Sequence, residues 1–185
     1  WVDSHCHLGV EGLGERLDDV LLEMDRAHVS AALCVCTTLE EADHVLNLSR
    51  RSASLWASVG VHPDTESTPQ HPHREPTVET LVARAQDPKI RAIGETGLDY
   101  YRLNGRSMAE MAWQRDRFAV HIEAARQSLL PLIVHTRCAS EDTLNLLAQE
   151  GRGQVGGVFH CFTETAEVAR AALDLGFYIS FSGIL

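Results

Sequence analysis

The sequence predicts an α/β fold, a TIM-type (β/α)8 barrel truncated after its seventh strand, and three observations support this prediction. Short runs of apolar and β-branched residues recur along the chain, as expected of buried parallel strands. Patterns with helical periodicity separate most of these runs. The alternation continues without the change in order that marks an open sheet, which favours successive strand-helix units closing into a barrel.

The predicted strands begin with the opening run WVDSHC and end with FYISFSG near the end of the sequence. Several of them are rich in valine, isoleucine and aromatic residues, which favour the pleated surface of a sheet. The remaining runs are bounded by glycine, proline or polar residues, which is typical of strand ends. The seven predicted strands cover residues 1–6, 31–36, 55–61, 90–95, 132–136, 156–162 and 177–183.

Amphipathic patterns predict the helices between these strands. In the first pattern Leu17, Val20 and Met24 recur at helical spacing and would lie on one face. The other patterns repeat this arrangement, and two of them are followed by a glycine of the kind that commonly ends a helix. The predicted helices cover residues 16–29, 79–86, 114–128, 141–151 and 164–176.

Length and composition predict a single domain over residues 1–185. The chain has 44% hydrophobic residues, enough for one substantial core, and shows no change of composition that would divide it. At 185 residues it is shorter than the ~250 residues typical of a (β/α)8 barrel. Because it starts without methionine and stops after the seventh predicted strand, we expect the C-terminal helix-strand-helix of the barrel to be missing from this sequence.

Charge and cysteine content indicate the compartment and restrict the partners. A net charge of −10 is unusual for a protein that grips nucleic acid through a broad basic face. Five cysteines without a C-x-x-C pair or a disulfide-like framework favour a reduced, cytoplasmic protein. The longest apolar run, LLPLIV at 129–134, is too short to span a membrane, and we expect no membrane association. We expect a monomer.

Metal-binding residue types lie at the ends of the predicted strands, where (β/α)8 barrels place their active sites. Imidazoles and a carboxylate are ligands for divalent ions, and this set exceeds what one tetrahedral ion needs. We therefore predict two ions that share a bridging carboxylate. We do not count His62 among the ligands, and expect it to contact substrate or to support the ligands. The residues at these strand ends are His5, His7, His62, Glu95, His135 and His160.

Side-chain alternation refines this prediction. Along a strand His5 and His7 project to the same face together with Asp3, whereas Cys6 points away. By the same reasoning Cys161, directly after His160, is expected to face away and to pack in the layer between barrel and helices. The remaining histidines lie in helical patterns or in the proline-rich loop 63–76, and we expect them to pack or to be solvated: His28, His44, His71, His73 and His121.

Six stretches in barrel order make the chain resemble the TatD family of metal-dependent hydrolases: DSHCHL, GVHP, AIGETGLDYY, PLIVHTR, HCFT and LGFYISFSGIL. The resemblance implies metal-dependent deoxyribonuclease or exonuclease activity. It also implies that His5 and His7 bind the first ion, that Glu95 lies between the two ions, and that His135 and His160 bind the second. Glu95, His135 and His160 would then be catalytic. The family takes a further aspartate from a TD sequence on its eighth strand, and this sequence contains no such stretch.

The implied reaction is hydrolysis of phosphodiester bonds, with two divalent ions (Mg²⁺, Mn²⁺ or Zn²⁺) activating water and holding the phosphate. The expected substrate is DNA, including single-stranded DNA, or RNA. Candidate phosphate contacts are Arg137, Arg102 and Arg106, because guanidinium groups suit phosphate. Tyr100 and Tyr101 would stack on a base or pack in the protein. Two alternatives stay open: a metal-dependent hydrolase of another ester, amide or aminoacyl-tRNA, and an inactive truncated remnant.

Overall fold

The computed structural model describes residues 1–183, which contain seven strands in one curled parallel sheet. The strands are ordered β1 to β7, each hydrogen-bonded to its sequence neighbours, as in a (β/α)8 barrel. This confirms the predicted fold class. Their bounds are β1 Val2–Cys6, β2 Ala31–Cys34, β3 Leu55–Val59, β4 Ile90–Asp99, β5 Leu132–Arg137, β6 Gly157–Phe159 and β7 Phe177–Ile179.

Six α-helices within the described residues connect the strands and cover the outer face of the sheet. Thr77 and Thr165 cap α3 and α6, because their hydroxyls accept the backbone N–H groups of Thr80 and Val168. Short 3₁₀ helices at Gly14–Arg16 and Met108–Met111 precede two of the α-helices. The helices are α1 Leu17–Arg26, α2 Ala42–Arg50, α3 Val78–Ala85, α4 Ala112–Ser128, α5 Ser140–Gly151 and α6 Ala166–Asp174.

The hydrophobic core joins the sheet to this helical layer. Leu55, Ile93 and Leu132 of neighbouring strands are fully buried, as are Phe118 and Ile122 of α4. Burial on both faces of the central strands explains why their sequences read as continuous apolar runs. No helix within residues 1–183 has both the length and the apolar character needed to cross a membrane.

All seven strands differ from their predicted bounds, and the differences in β4 and β6 change where candidate residues of the strand ends lie. β4 extends to Asp99 rather than ending at Glu95, so one strand carries two carboxylates on the same face. β6 ends at Phe159, so His160 lies just beyond the strand. Gly97 in the long strand has φ +134°, and a Cβ there would lie 2.0 Å from the carbonyl oxygen of His135. Only glycine allows β4 to pass so close to β5.

Candidate metal centre

Glu95 lies at the centre of a group of imidazoles at the C-terminal ends of the strands. The residue is only 4% exposed. Its Oε2 faces Nε2 of His5 at 3.3 Å and Nε2 of His7 at 4.0 Å. Its Oε1 faces Nε2 of His62 at 3.6 Å and Nδ1 of His135 at 3.4 Å. The two oxygens of one carboxylate therefore face two separate pairs of histidines.

The ring nitrogens also approach each other within each pair. Nε2 of His5 and Nε2 of His7 are 3.1 Å apart, and Nε2 of His62 and Nδ1 of His135 are 3.3 Å apart. Each pair forms with Glu95 a cluster whose ligand atoms all lie within 4.8 Å of one another. Nitrogen and carboxylate donors directed at one point are the ligand set of a divalent cation. The donor chemistry of His5, His7 and Glu95 therefore fits the predicted metal, and in the second cluster Glu95 and His135 offer donors of the same kind.

His160 reaches this centre by stacking on His5 rather than by joining either cluster. The two rings lie 3.3 Å apart between centroids and are nearly parallel, at 8°. The Nδ1 atoms of both rings are buried and have no hydrogen-bond partner within the described part of the chain. Buried imidazole nitrogens ordinarily have a partner, so these two nitrogen atoms are available to hydrogen-bond or coordinate a bound group.

Nε2 of His62 lies 3.6 Å from Oε1 of Glu95, and the hydrogen bonds of the ring determine what it offers there. The backbone N–H of Asp64 donates to Nδ1 of His62 at 3.1 Å. In the neutral ring the proton is then on Nε2, the atom that faces Glu95. His62 therefore presents an N–H donor to the centre, whereas a metal ligand would need a free lone pair on that nitrogen.

Asp99 is a residue of the centre that the sequence analysis missed. Its buried carboxylate accepts hydrogen bonds from Nε2 of His135 at 3.0 Å and from Nε of Arg137 at 2.9 Å. The bond between Asp99 and Nε2 of His135 leaves Nδ1 of that ring facing Glu95, in the carboxylate-histidine arrangement that orients metal-binding imidazoles. Glu95 and Asp99 are four residues apart and share a face of β4, but the predicted strand ended at Glu95, so strand periodicity did not reach Asp99.

The pKa values reflect this crowded, buried set of charges. Burial by itself raises the pKa of Glu95, but hydrogen bonds from His135 and His5 outweigh it and hold the pKa well below its usual range. For His135 burial acts in the other direction and lowers the pKa, but the hydrogen bonds to Asp99 and Glu95 outweigh burial and raise the pKa to about 9. Burial lowers the pKa of His62 to about 4, so that ring is neutral near pH 7.

A cavity of about 570 Å³ opens above the centre. Arg137 lies on its wall with its guanidinium over the ring of Tyr101, 4.6 Å from the ring centroid. The remaining wall is rich in hydroxyl groups and carries one exposed carboxylate. The lining residues are His7, Thr37, His62, Asp64, Thr65, Glu95, His135, Thr136, Arg137, His160, Cys161 and Thr163.

The structure separates the other predicted substrate contacts. Tyr100 is buried away from the cavity wall, where its hydroxyl donates to Asp142 at 2.7 Å, so the packing alternative applies to it. Arg102 is exposed and lies 3.5 Å from Asp64 at the rim. Arg106 forms a two-pronged ion pair with Glu66, at 2.9 and 3.0 Å, and is not part of the wall.

The two thiols next to predicted ligands behave differently. Cys6 donates from Sγ to the carbonyl oxygen of Leu33 on β2, at 3.2 Å, and belongs to neither cluster. For Cys161 the prediction is wrong, because this residue lines the cavity. Since β6 ends at Phe159 and Cys161 has φ +47°, strand alternation does not apply to it. Cys161 therefore lies on the cavity side of the sheet.

Comparison with known proteins adds to this geometry. The family model described as TatD related DNase matches residues 2–185. The chain belongs to this family. Among curated TatD relatives, the Escherichia coli K12 protein named "Uncharacterized metal-dependent hydrolase YcfH" is 42% identical over 187 residues, covering 100% of this chain and 67% of the relative. A Mus musculus relative provisionally named deoxyribonuclease TATDN3 is 32% identical, covering 97% of this chain and 62% of that protein.

Solved TatD structures have the same fold. The crystal structure of YjjV, a TatD homologue from Escherichia coli K12, superposes with a TM-score of 0.83 at 24% identity, covering 97% of this chain. A TatD family hydrolase from Entamoeba histolytica superposes with a TM-score of 0.78 at 25% identity. The chain spans 66% and 64% of these two chains. These likenesses support the barrel-type fold of this TatD family member.

Proposed function

We propose that this TatD family chain is a metal-dependent hydrolase that holds two divalent ions and cleaves phosphodiester bonds. The position of Glu95 carries the proposal. One oxygen of its carboxylate faces His5 and His7, and the other faces His62 and His135. A carboxylate shared between two ligand clusters is what a pair of ions in one site requires. We assign Mg²⁺, Mn²⁺ or Zn²⁺ as the candidate ions from the mixed imidazole and carboxylate donors.

The residues divide into ligands and substrate contacts. His5, His7 and Glu95 would hold the first ion, and Glu95 with His135 would hold the second, with His160 as the further ligand. Bound divalent ions supply a water of lowered pKa and offset the negative charge that develops on phosphate oxygens. His62 directs its Nε2–H into the same space and would donate a hydrogen bond to a phosphate oxygen.

Nucleic acid, as single-stranded DNA or as RNA, is the substrate class we propose. The family description names a DNase, and Arg137 stacked on Tyr101 at the cavity wall offers a guanidinium and an aromatic face. The specific observation that favours a different ester substrate is charge. The chain carries −10, and the guanidinium of Arg137 is already paired with Asp99. This charge favours a small ester over a polyanion, and a small ester or, as the other open alternative, an aminoacyl-tRNA is the second candidate.

The test uses the full chain with end-labelled single-stranded DNA and RNA and with added Mg²⁺ or Mn²⁺. We expect cleavage that EDTA abolishes and that Glu95→Gln eliminates while circular dichroism still shows the native fold. The matched control is Glu23→Gln, which changes an exposed carboxylate of α1 that pairs with Arg26 on its own helix. If wild type hydrolyses a model ester or aminoacyl-tRNA but no nucleic acid, the second candidate replaces the first.

A further inference from the structure

Helix α4 buries a stripe of polar side chains against the centre, although it contributes no residue to the cavity wall. Gln114, Arg117 and His121 recur at spacings of three and four residues and therefore share one face of the helix. Their exposed fractions are 1%, 4% and 0%. Burying three such groups is costly unless each is hydrogen-bonded, so their partners indicate why the helix carries them.

The first partners are backbone groups of the segment that carries His62. Nε2 of His121 accepts the backbone N–H of Val61 at 3.0 Å, while Nδ1 of the same ring donates to the carbonyl of Arg117 at 2.8 Å. Nη1 of Arg117 donates to the carbonyl oxygens of His62 at 3.0 Å and of Thr65 at 2.7 Å. Both side chains therefore bond to main-chain atoms rather than to other side chains of the stripe.

Gln114 connects this segment to the end of β4. Its Nε2 donates to the carbonyl oxygen of Pro63 at 3.0 Å, and its Oε1 accepts the backbone N–H of Asp99 at 2.9 Å. One amide thus fixes the residue after His62 and the residue whose carboxylate holds His135. Because both amide atoms are used, an apolar side chain of similar size would fill the space but lose both bonds.

A main-chain atom of each residue in the segment 61–63 is therefore hydrogen-bonded to a side chain of α4. On the other side the backbone N–H of His62 donates to the carbonyl of Thr37 at 2.9 Å. Arg117 also holds the far end of the 63–76 loop, because its guanidinium forms a two-pronged pair with Glu75. The loop is therefore held by α4 at both ends, through backbone carbonyls at the near end and through the side chain of Glu75 at the far end.

We propose that Gln114, Arg117 and His121 are positioning residues that set the place of His62, and of Asp99 with His135, around Glu95. They act through the main chain and touch neither ligand nor substrate. The catalytic consequence rests on the proposed function, whereas the placement of the His62 ring does not. Through this stripe, substitutions in α4 would change the positions of His62 and His135 without changing those of His5 and His7.

The experiment compares His121→Leu with Ile122→Ala in the full chain. Both positions are fully buried in α4, but Ile122 forms no side-chain hydrogen bond, so its variant reports loss of packing alone. The first readout is the long-range ¹H–¹⁵N spectrum of the histidine rings in metal-free protein. We expect wild type and Ile122→Ala to show His62 as the Nε2–H tautomer accepting at Nδ1, and His121→Leu to lose this pattern.

The second readout is steady-state cleavage at equal folded fraction, set by urea melts. With His62 displaced by about 1 Å, we expect kcat to fall about 10- to 100-fold in His121→Leu and KM to change little. Ile122→Ala should keep the wild-type kcat, and His121→Gln, which restores an acceptor near Nε2, should recover part of the loss. If His121→Leu does not fold, Gln114→Met provides the same comparison.

Unchanged His62 ring signals in His121→Leu and Gln114→Met would overturn the proposal, as would an equal fall of kcat in His121→Leu and Ile122→Ala. Failure of the proposed function gives a different result. In that case wild type binds no metal and cleaves no substrate, while the ring spectrum still reports whether α4 sets the place of His62.

Discussion

Asp99→Asn should weaken metal binding even though Asp99 contacts no predicted ion. The carboxylate is buried and accepts hydrogen bonds from Nε2 of His135 at 3.0 Å and from Arg137 at 2.9 and 2.6 Å. An amide in its place keeps the shape but carries no charge and has one acceptor oxygen instead of two. The ring of His135 then loses the charged partner that keeps its Nδ1 directed at Glu95. Because the backbone N–H of Tyr101 donates to the other carboxylate oxygen at 2.9 Å, a single amide oxygen cannot replace both acceptors.

The expected loss is about 10- to 100-fold in affinity for the second ion, equivalent to about 1.4 to 2.7 kcal/mol, because partners behind a ligand typically contribute this much. Calorimetric titration of metal-free protein with Mn²⁺ measures it. In the same metal-free protein the pKa of His135, which is raised to about 9 mainly by Asp99 and Glu95 against the effect of burial, should fall in the variant. Proton NMR of the ring follows this change.

Asp142→Asn is the matched control, because that carboxylate also pairs with an arginine, but its partners are Arg115 and Tyr100 rather than a histidine of the centre. We expect it to leave Mn²⁺ affinity at the wild-type value. The reasoning is refuted if Asp99→Asn binds Mn²⁺ as tightly as wild type, or if Asp142→Asn loses as much affinity as Asp99→Asn.

Three further variants test separate features. Cys6→Ala should leave Mn²⁺ affinity unchanged by calorimetry and cost about 1 kcal/mol in urea unfolding, because the bond to Leu33 and the packing of one sulfur atom against the core are lost. Gly97→Ala should destabilise the fold by about 3 kcal/mol or more, because its Cβ would lie 2.0 Å from the carbonyl oxygen of His135; a wild-type melting curve would contradict this. Burial lowers the pKa of His121 from 6.5 to about 4, so the unfolded chain takes up its proton first as the pH falls. This residue should therefore lower the free energy of unfolding at pH 4 by about 3 kcal/mol relative to neutral pH, and His121→Gln should remove this loss. Urea melts at a series of pH values measure it, and an equal pH dependence in wild type and His121→Gln would contradict the idea.

The sequence by itself determined the fold class and which side chains gather at one end of the sheet. Strands and helices follow from the period of the apolar residues, and parallel strands place their C-terminal ends on one rim. His5, His7, Glu95 and His135 could be assigned to one place for this reason, before any distance was known. Six sequence stretches, rather than this periodicity, carried the resemblance to the TatD family, which the match over residues 2–185 confirms.

Only the tertiary structure decided how these groups face one another. Whether each oxygen of Glu95 meets a different pair of imidazoles depends on contacts between strands that are far apart in sequence. The tautomer of His62 depends on the backbone of Asp64, and the part played by Asp99 depends on β4 being longer than its apolar run. Hydrogen bonds act over about 3 Å, whereas sequence patterns place a side chain only on a face or at a strand end.

The errors have the same origin. Cys161 was placed by strand alternation, but the strand ends before it, and its left-handed backbone turns the residue to the cavity. Tyr100 follows the centre in sequence, yet Asp142 and Arg115 of other elements hold its hydroxyl in the protein interior. Periodicity describes the inside of an element, while the residues just beyond its end are directed by partners that only the folded chain brings together.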